Sequence, residues 1–192
     1  MMPLFQPAMP RPSAPRIHEL ETARLRLRMF TSADIGEFSR ITRDPDVMRY
    51  LGEGRPLSRG DAWRQMAFVV GHWHLRGYGM WAVEEAATGR LAGRIGFLNP
   101  EGWPGFELGW TLGREFWGRG YATEGARRAL EFAFTELGRD HVISLIRPDN
   151  KPSVRVAERL GERLEGTVEV FGADALVYGI GREDWLARRG GG

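Results

Sequence analysis

Two segments of this 192-residue chain carry residue types whose spacing suits chemistry. In the first, Phe106, Leu108, Trp110 and Leu112 alternate with Glu107, Gly109 and Thr111. That alternation predicts a strand whose single carboxylate, Glu107, points away from the apolar side with small residues beside it. Glu107 is a candidate general base, and its plain alternative is a solvated strand charge or an ion pair. Gly118-Arg119-Gly120 follows. Then Ala122, Ala126, Ala129 or Leu130, Ala133 and Leu137 recur at helical spacing from Tyr121 to about Leu137. A strand feeding a glycine turn that opens a helix aims free backbone N–H groups, and the positive end of the helix dipole, at one point. Glycines let a ligand approach the main chain closely, so phosphate or pyrophosphate is the natural guest. An ordinary tight turn is the plain alternative. In the second segment, Asn150 caps a helix that runs to Leu160 and stops at Gly161, a residue type suited to the C-terminal left-handed position. Ser153, in its first turn, offers a hydroxyl donor or simply supports the helix start.

Two phosphate loops can be set aside. Gly113 and Gly118 have P-loop spacing, but Arg119-Gly120 stands where Lys-Ser/Thr is required, so the magnesium-binding hydroxyl is missing. The dinucleotide fingerprint needs a third glycine where Thr123 stands.

The remaining elements must position these groups. Arg24 to Met29 alternates as a first strand. Thr31 to Asp34 opens a helix running to about Thr42, and a short helical piece follows near Val47 to Leu51. Ser58 caps a helix ending near Gly77, with Trp63, Met66 or Ala67, Val70 and Trp73 expected on its buried side. Trp81 to Glu84 and Leu91 to Leu98 form a hairpin. His141 to Ile146, Thr167 to Phe171 and Leu176 to Ile180 supply three more strands. The order is α+β. Trp81, Trp103 and Trp110 either line an acceptor cleft or pack the core.

Composition bounds the rest. Hydrophobic residues are 42% and charged residues 27%, as in a soluble globular protein. The expected organisation is a Pro-rich arm over 1–16 and a single domain over 17–192. A net charge of +2 with dispersed Lys and Arg argues against nucleic-acid binding. With no cysteine and only four histidines, no disulfide, thiol nucleophile or metal site is expected. No apolar run reaches membrane-spanning length, and a cytoplasmic location is expected.

The continuous stretch Phe106 to Gly125, with Trp117-Gly118-Arg119-Gly120-Tyr121-Ala122 at its centre, resembles the acyl-CoA loop of the GNAT acetyltransferases. The form is similar to that of the branch containing the ribosomal-protein N-terminal acetyltransferases. Trp117 departs from the usual Gln/Arg. Asn150-Lys151-Pro152-Ser153 through Leu160-Gly161 resembles the family's later helix, with Glu162 where an aromatic is usual. The resemblance covers about residues 21–185 and implies the GNAT fold, a mixed and mostly antiparallel sheet flanked by helices. It implies acetyl-CoA as co-substrate. Backbone near Thr111 and Leu112 would pair with pantetheine as an added strand. Trp117, Gly118, Arg119, Gly120, Tyr121 and Ala122 would surround the pyrophosphate, with Asn150 and Ser153 nearer the sulfur. Ala157 stands where many members carry a catalytic tyrosine, which leaves Ser153 as the implied thiolate donor and Glu107 as the implied base. The acceptor implied is a primary amine, either a protein N-terminus or a small molecule. A non-catalytic acyl-CoA-binding module is the competing class. Monomer and homodimer both remain open.

Overall fold

The computed structural model describes residues 18–189; the stretch 1–16 expected as an arm lies outside the described residues. One eight-stranded sheet runs through the molecule, in the order β1-β2-β3-β4-β5-β6-β8-β7. The strands are β1 (Leu20–Glu21), β2 (Leu25–Arg28), β3 (Met80–Glu85), β4 (Leu91–Leu98), β5 (Glu107–Leu112), β6 (His141–Ile146), β7 (Arg163–Val170) and β8 (Ala173–Gly181). Every neighbouring pair is antiparallel except β5 and β6. A parallel pair needs a crossover, and the helix α4 (Tyr121–Thr135) supplies it. The other helices are α1 (Ile35–Arg43), α2 (Pro45–Met48), α3 (Arg59–Arg76), α5 (Lys151–Leu160) and α6 (Arg182–Arg189). This is the α+β, mostly antiparallel architecture of the GNAT fold.

Register sorts the central side chains onto two faces. Arg94 and Gly96 of β4 stand opposite Thr111 and Gly109 of β5, so these four share a face with Glu107. The helix α1 covers that face. Its Phe38 ring lies 5.9 Å from the Arg94 guanidinium carbon, and its Ile41 packs against Gly113. Ile95, Leu108 and Trp110 point the other way, toward α4 and α5. A Cβ at Gly125 of α4 would sit 2.6 Å from Ile95 Cδ1, so the absence of a side chain there sets how closely helix and sheet approach.

The helix ends follow local chemistry. Ser58 Oγ accepts from the Asp61 N–H at 3.1 Å to start α3, and Gly77 ends it at φ +74°. The buried side of α3 is Ala62, Met66, Val69 and Trp73, not the stripe expected through Trp63 and Val70. Trp63 is 60% exposed, because apolar residues occur on both sides of this helix and spacing alone did not select between them. Neither β1 nor α6 was foreseen: one is two residues long, and the other holds a single buried apolar anchor, Trp185.

Candidate active site

The site is a gap in the sheet. The strands β5 and β6 pair at one position, Glu107 with Ile143, and then part. Gly113 N–H donates to Ala92 O at 2.9 Å. Together with the β4–β5 register, this turns the peptide groups of Thr111 toward β4 and those of Trp110 and Leu112 toward the gap. The expectation that Thr111 offers backbone to a ligand is therefore corrected: Trp110 and Leu112 are the residues at the open edge. Leu112 O already accepts from Trp117 Nε1 at 2.8 Å, so the tryptophan that replaces the usual Gln/Arg braces the end of β5.

On the α1 face, Glu107 is buried rather than solvated. Trp103 Nε1 donates to its Oε2 at 2.7 Å. Burial pushes the carboxyl up to about 7, while the Trp103 hydrogen bond, the Arg94 charge and the Leu145 amide pull the other way. A carboxyl poised there exchanges protons readily near neutral pH. Gly109 is its neighbour on this face, and a Cβ added to it would lie 3.8 Å from Glu107 Oε1. The space that residue 109 leaves beside the carboxyl is taken by the buried Met80, whose Cε lies 3.2 Å from that Cβ position. The Trp103 ring meets that of Phe171 at 5.7 Å in a tilted pair, and Phe171 holds a left-handed φ of +53° in the β7–β8 turn.

On the opposite face, Trp110 Nε1 donates to Ser153 Oγ at 3.2 Å, and Ser153 N–H donates to Asn150 Oδ1 at 3.3 Å. Asn150 thus caps α5, and Ser153 belongs to its first turn. Among the described residues no acceptor takes the Ser153 hydroxyl proton, so the group can both support the helix and donate. Glu107 and Ser153 lie on opposite faces of β5, with the parted strands between them. They do not touch.

The glycine turn has the expected form. Gly118 and Gly120 take φ of +71° and +80°, and no side chain caps α4. A Cβ at Gly118 would meet no atom within 4 Å, so the space in front of the uncapped amides is free for a pyrophosphate. The residues present fit that group through their main chain. Two side chains of the turn are engaged behind it. Arg119 reaches back to Glu85, with Nη2 to Oε1 at 2.7 Å, and the buried Tyr121 donates its hydroxyl to the same oxygen at 2.7 Å. Glu85 of β3, which sequence reasoning missed, fixes the turn from behind. Arg24 adds a second tie, with Nη1 donating to Arg119 O at 3.0 Å. Ala122 is half-buried at the first turn of α4, where it presents its amide.

Two further polar groups were also missed. Arg94 sits inside β4, and burial pushes its guanidinium down to about 10. Glu162, in the position where an aromatic was expected, is buried and pushed up to about 8 by that burial. Ser144 Oγ lies 2.9 Å from Leu108 O and 3.1 Å from Glu162 Oε1. The one hydroxyl proton serves Leu108 O when Glu162 carries its own proton and donates to Ser144. The available signal was a lone charge inside the otherwise apolar run Leu91 to Leu98, and it becomes legible only once β4 is known to be central.

Among the described residues no group of three or more His, Cys, Asp or Glu is arranged to hold a metal, and no helix is long and apolar enough to cross a membrane. The family model for the acetyltransferase (GNAT) domain matches residues 24–163. The N-acetyltransferase YnaD of Bacillus subtilis is 32% identical over 176 residues, which is 86% of this chain and 98% of YnaD. The crystal structure of an acetyltransferase from Agrobacterium tumefaciens superposes with a TM-score of 0.76 at 32% identity, covering 86% of this chain and 95% of that one. The ribosomal-protein-S5-alanine acetyltransferase of Vibrio fischeri, at 17% identity and a TM-score of 0.69 over 88% of this chain and 98% of its own, shares the fold. With the parted strands, the glycine turn and a family match over most of the sheet, the chain belongs to the GNAT acetyltransferases and is an acyltransferase enzyme.

Proposed function

We propose that this enzyme moves an acetyl group from acetyl-CoA to a primary amine by direct attack, with Glu107 as the base and no covalent enzyme intermediate. The observation that carries the reading is Glu107 itself: a buried carboxyl held near 7 on the face of β5 opposite Ser153. Only a neutral amine attacks a thioester, and a carboxylate at this position takes the proton that the amine must lose. Bound acetyl-CoA supplies the activated acyl group and a good leaving thiolate.

The chain's own residues do the rest. The amides of Gly118, Arg119, Gly120, Tyr121 and Ala122 hold the pyrophosphate at the start of α4. The Trp110 and Leu112 peptide groups at the edge of β5 pair with the pantetheine arm, as a strand would. Trp117 keeps that edge in place. Asn150 orients the start of α5, and the Ser153 hydroxyl, free to donate, faces the sulfur side of the gap. On the acceptor side, Trp103 fixes the Glu107 rotamer through its Nε1 hydrogen bond.

The test is a panel of amines incubated with acetyl-CoA, with free CoA read by a thiol reagent. Transfer to an amine, lost in Glu107→Gln while CoA binding persists, is expected. Only slow hydrolysis with every amine would sink the reading.

A further inference from the structure

Phe171 is an aromatic residue in a place that suits another type. Val170 pairs with Ala173, so Phe171 and Gly172 form a two-residue hairpin loop, and both take left-handed φ, +53° and +69°. Such a loop favours Asn-Gly, and among the described residues Phe171 is the one non-glycine with a left-handed φ. A bulky side chain is strained there. Its ring recovers little by burial, since Phe171 is 65% exposed. The loop is nonetheless pinned from below. Arg147, just after β6, donates to Val170 O at 3.0 Å, to Asp174 O at 3.2 Å and to Ala173 O. Strained backbone that its surroundings hold in place is typical of segments that contact a ligand.

The ring that Phe171 meets belongs to Trp103, at 5.7 Å, and Trp103 Nε1 holds Glu107 Oε2 at 2.7 Å. Three side chains therefore link the acid to the surface: the buried Glu107, the half-buried Trp103 and the exposed Phe171. The other side of the carboxyl is closed, by the buried Met80 over Gly109 and by α1, which covers that face. An acceptor that brings its amine to Glu107 comes in on the Trp103 side, beside the Phe171 ring.

We infer that Phe171 and Trp103 select the acceptor, whose amine is carried on a flat, uncharged apolar group, as in an arylalkylamine. The inference rests on the acetyl-transfer reading above and narrows it. Aromatic rings attract either a ring or a cation, and the neighbouring charges decide between the two. The reacting amine brings one positive charge, which Glu107 answers. Arg147 lies against the loop with its charge met by carbonyl oxygens and, among the described residues, by no carboxylate. A second cation beside Phe171 would be repelled by it. An aromatic group meets no such penalty and takes the exposed Phe171 ring out of water.

The experiment measures CoA release with phenethylamine and tryptamine, with butylamine and with the polyamine spermidine, for wild type, Phe171→Asn and Phe171→Tyr. Wild type is expected to prefer an arylalkylamine over both aliphatic amines by about 10-fold or more in kcat/KM. In Phe171→Asn that preference should fall to near unity, chiefly through KM for the aromatic amines. Phe171→Tyr, which keeps the ring, should keep the preference. Asparagine accepts a left-handed φ, so Phe171→Asn should melt no lower than wild type, and CoA should still raise its melting temperature. Assays run well below the melting temperatures read the preference on folded enzyme, whatever the variant does to the hairpin. Equal use of aromatic and aliphatic amines, a preference for spermidine, or a preference unchanged in Phe171→Asn would overturn the assignment and leave acetyl transfer standing. Failure with every amine would sink both.

Discussion

Replacing Glu162 by glutamine is expected to stabilise the fold, and increasingly so as the pH rises. The side chain is 3% exposed, its Oε2 has no partner, and burial pushes its carboxyl from 4.5 to about 8, reinforced by the Glu165 and Glu107 charges. In the unfolded chain the group ionises near its ordinary value. Between 4.5 and 8 the folded state therefore binds a proton that the unfolded state has released, and stability falls as pH rises through that window. Each pH unit in it costs about 1.4 kcal/mol, so the penalty is about 3 kcal/mol at pH 7 and about zero at pH 4. Glutamine has the same shape, donates to Ser144 Oγ in place of the carboxylic proton and never ionises. Urea unfolding at pH 5, 7 and 8.5 reads the difference as a shift in midpoint at constant slope. The variant should be nearly equal to wild type at pH 5 and clearly more stable at pH 8.5. A variant less stable at every pH, or a gap that does not widen with pH, would refute the reasoning.

Other perturbations separate the roles of the remaining residues. Ser153→Ala should slow transfer at saturating substrates and leave CoA binding and melting temperature nearly unchanged; if the hydroxyl serves only the helix start, melting falls and turnover per folded enzyme holds. Gly120→Val should abolish the rise in melting temperature that CoA gives wild type, because φ of +80° is strained for a β-branched residue and its side chain would crowd Arg24 Nη2, 3.5 Å from the new Cβ. Equal CoA protection in both proteins would remove the pyrophosphate from this turn.

The parts of the site that depend on neighbouring residues were legible in the sequence. Alternation from Phe106 to Leu112 gave β5 and the face of Glu107, the two glycines marked the turn into α4, and Asn150 with Gly161 bracketed α5. What depends on tertiary placement was not legible. Side-chain alternation says nothing about which peptide groups face which neighbour, so Thr111 was put at an edge that Trp110 and Leu112 occupy. The tie of the Arg119 side chain to Glu85 was not legible, because Glu85 lies on a distant strand. The burial of Arg94 and Glu162 is invisible until β4 is known to be central and residue 162, just before β7, is known to meet Ser144. In α3, Trp63 and Val70 misled because both sides of the helix are apolar.

The most direct measurement is the pH dependence of turnover at saturating acetyl-CoA and acceptor, for wild type and Glu107→Gln. If the buried carboxyl is the base, wild-type turnover should rise through an apparent pKa near 7, the value to which burial pushes Glu107. The glutamine variant should lose that limb and fall by about 10²-fold or more, with CoA affinity kept. A variant that retains both the limb and the turnover would contradict the assignment of Glu107 as the base.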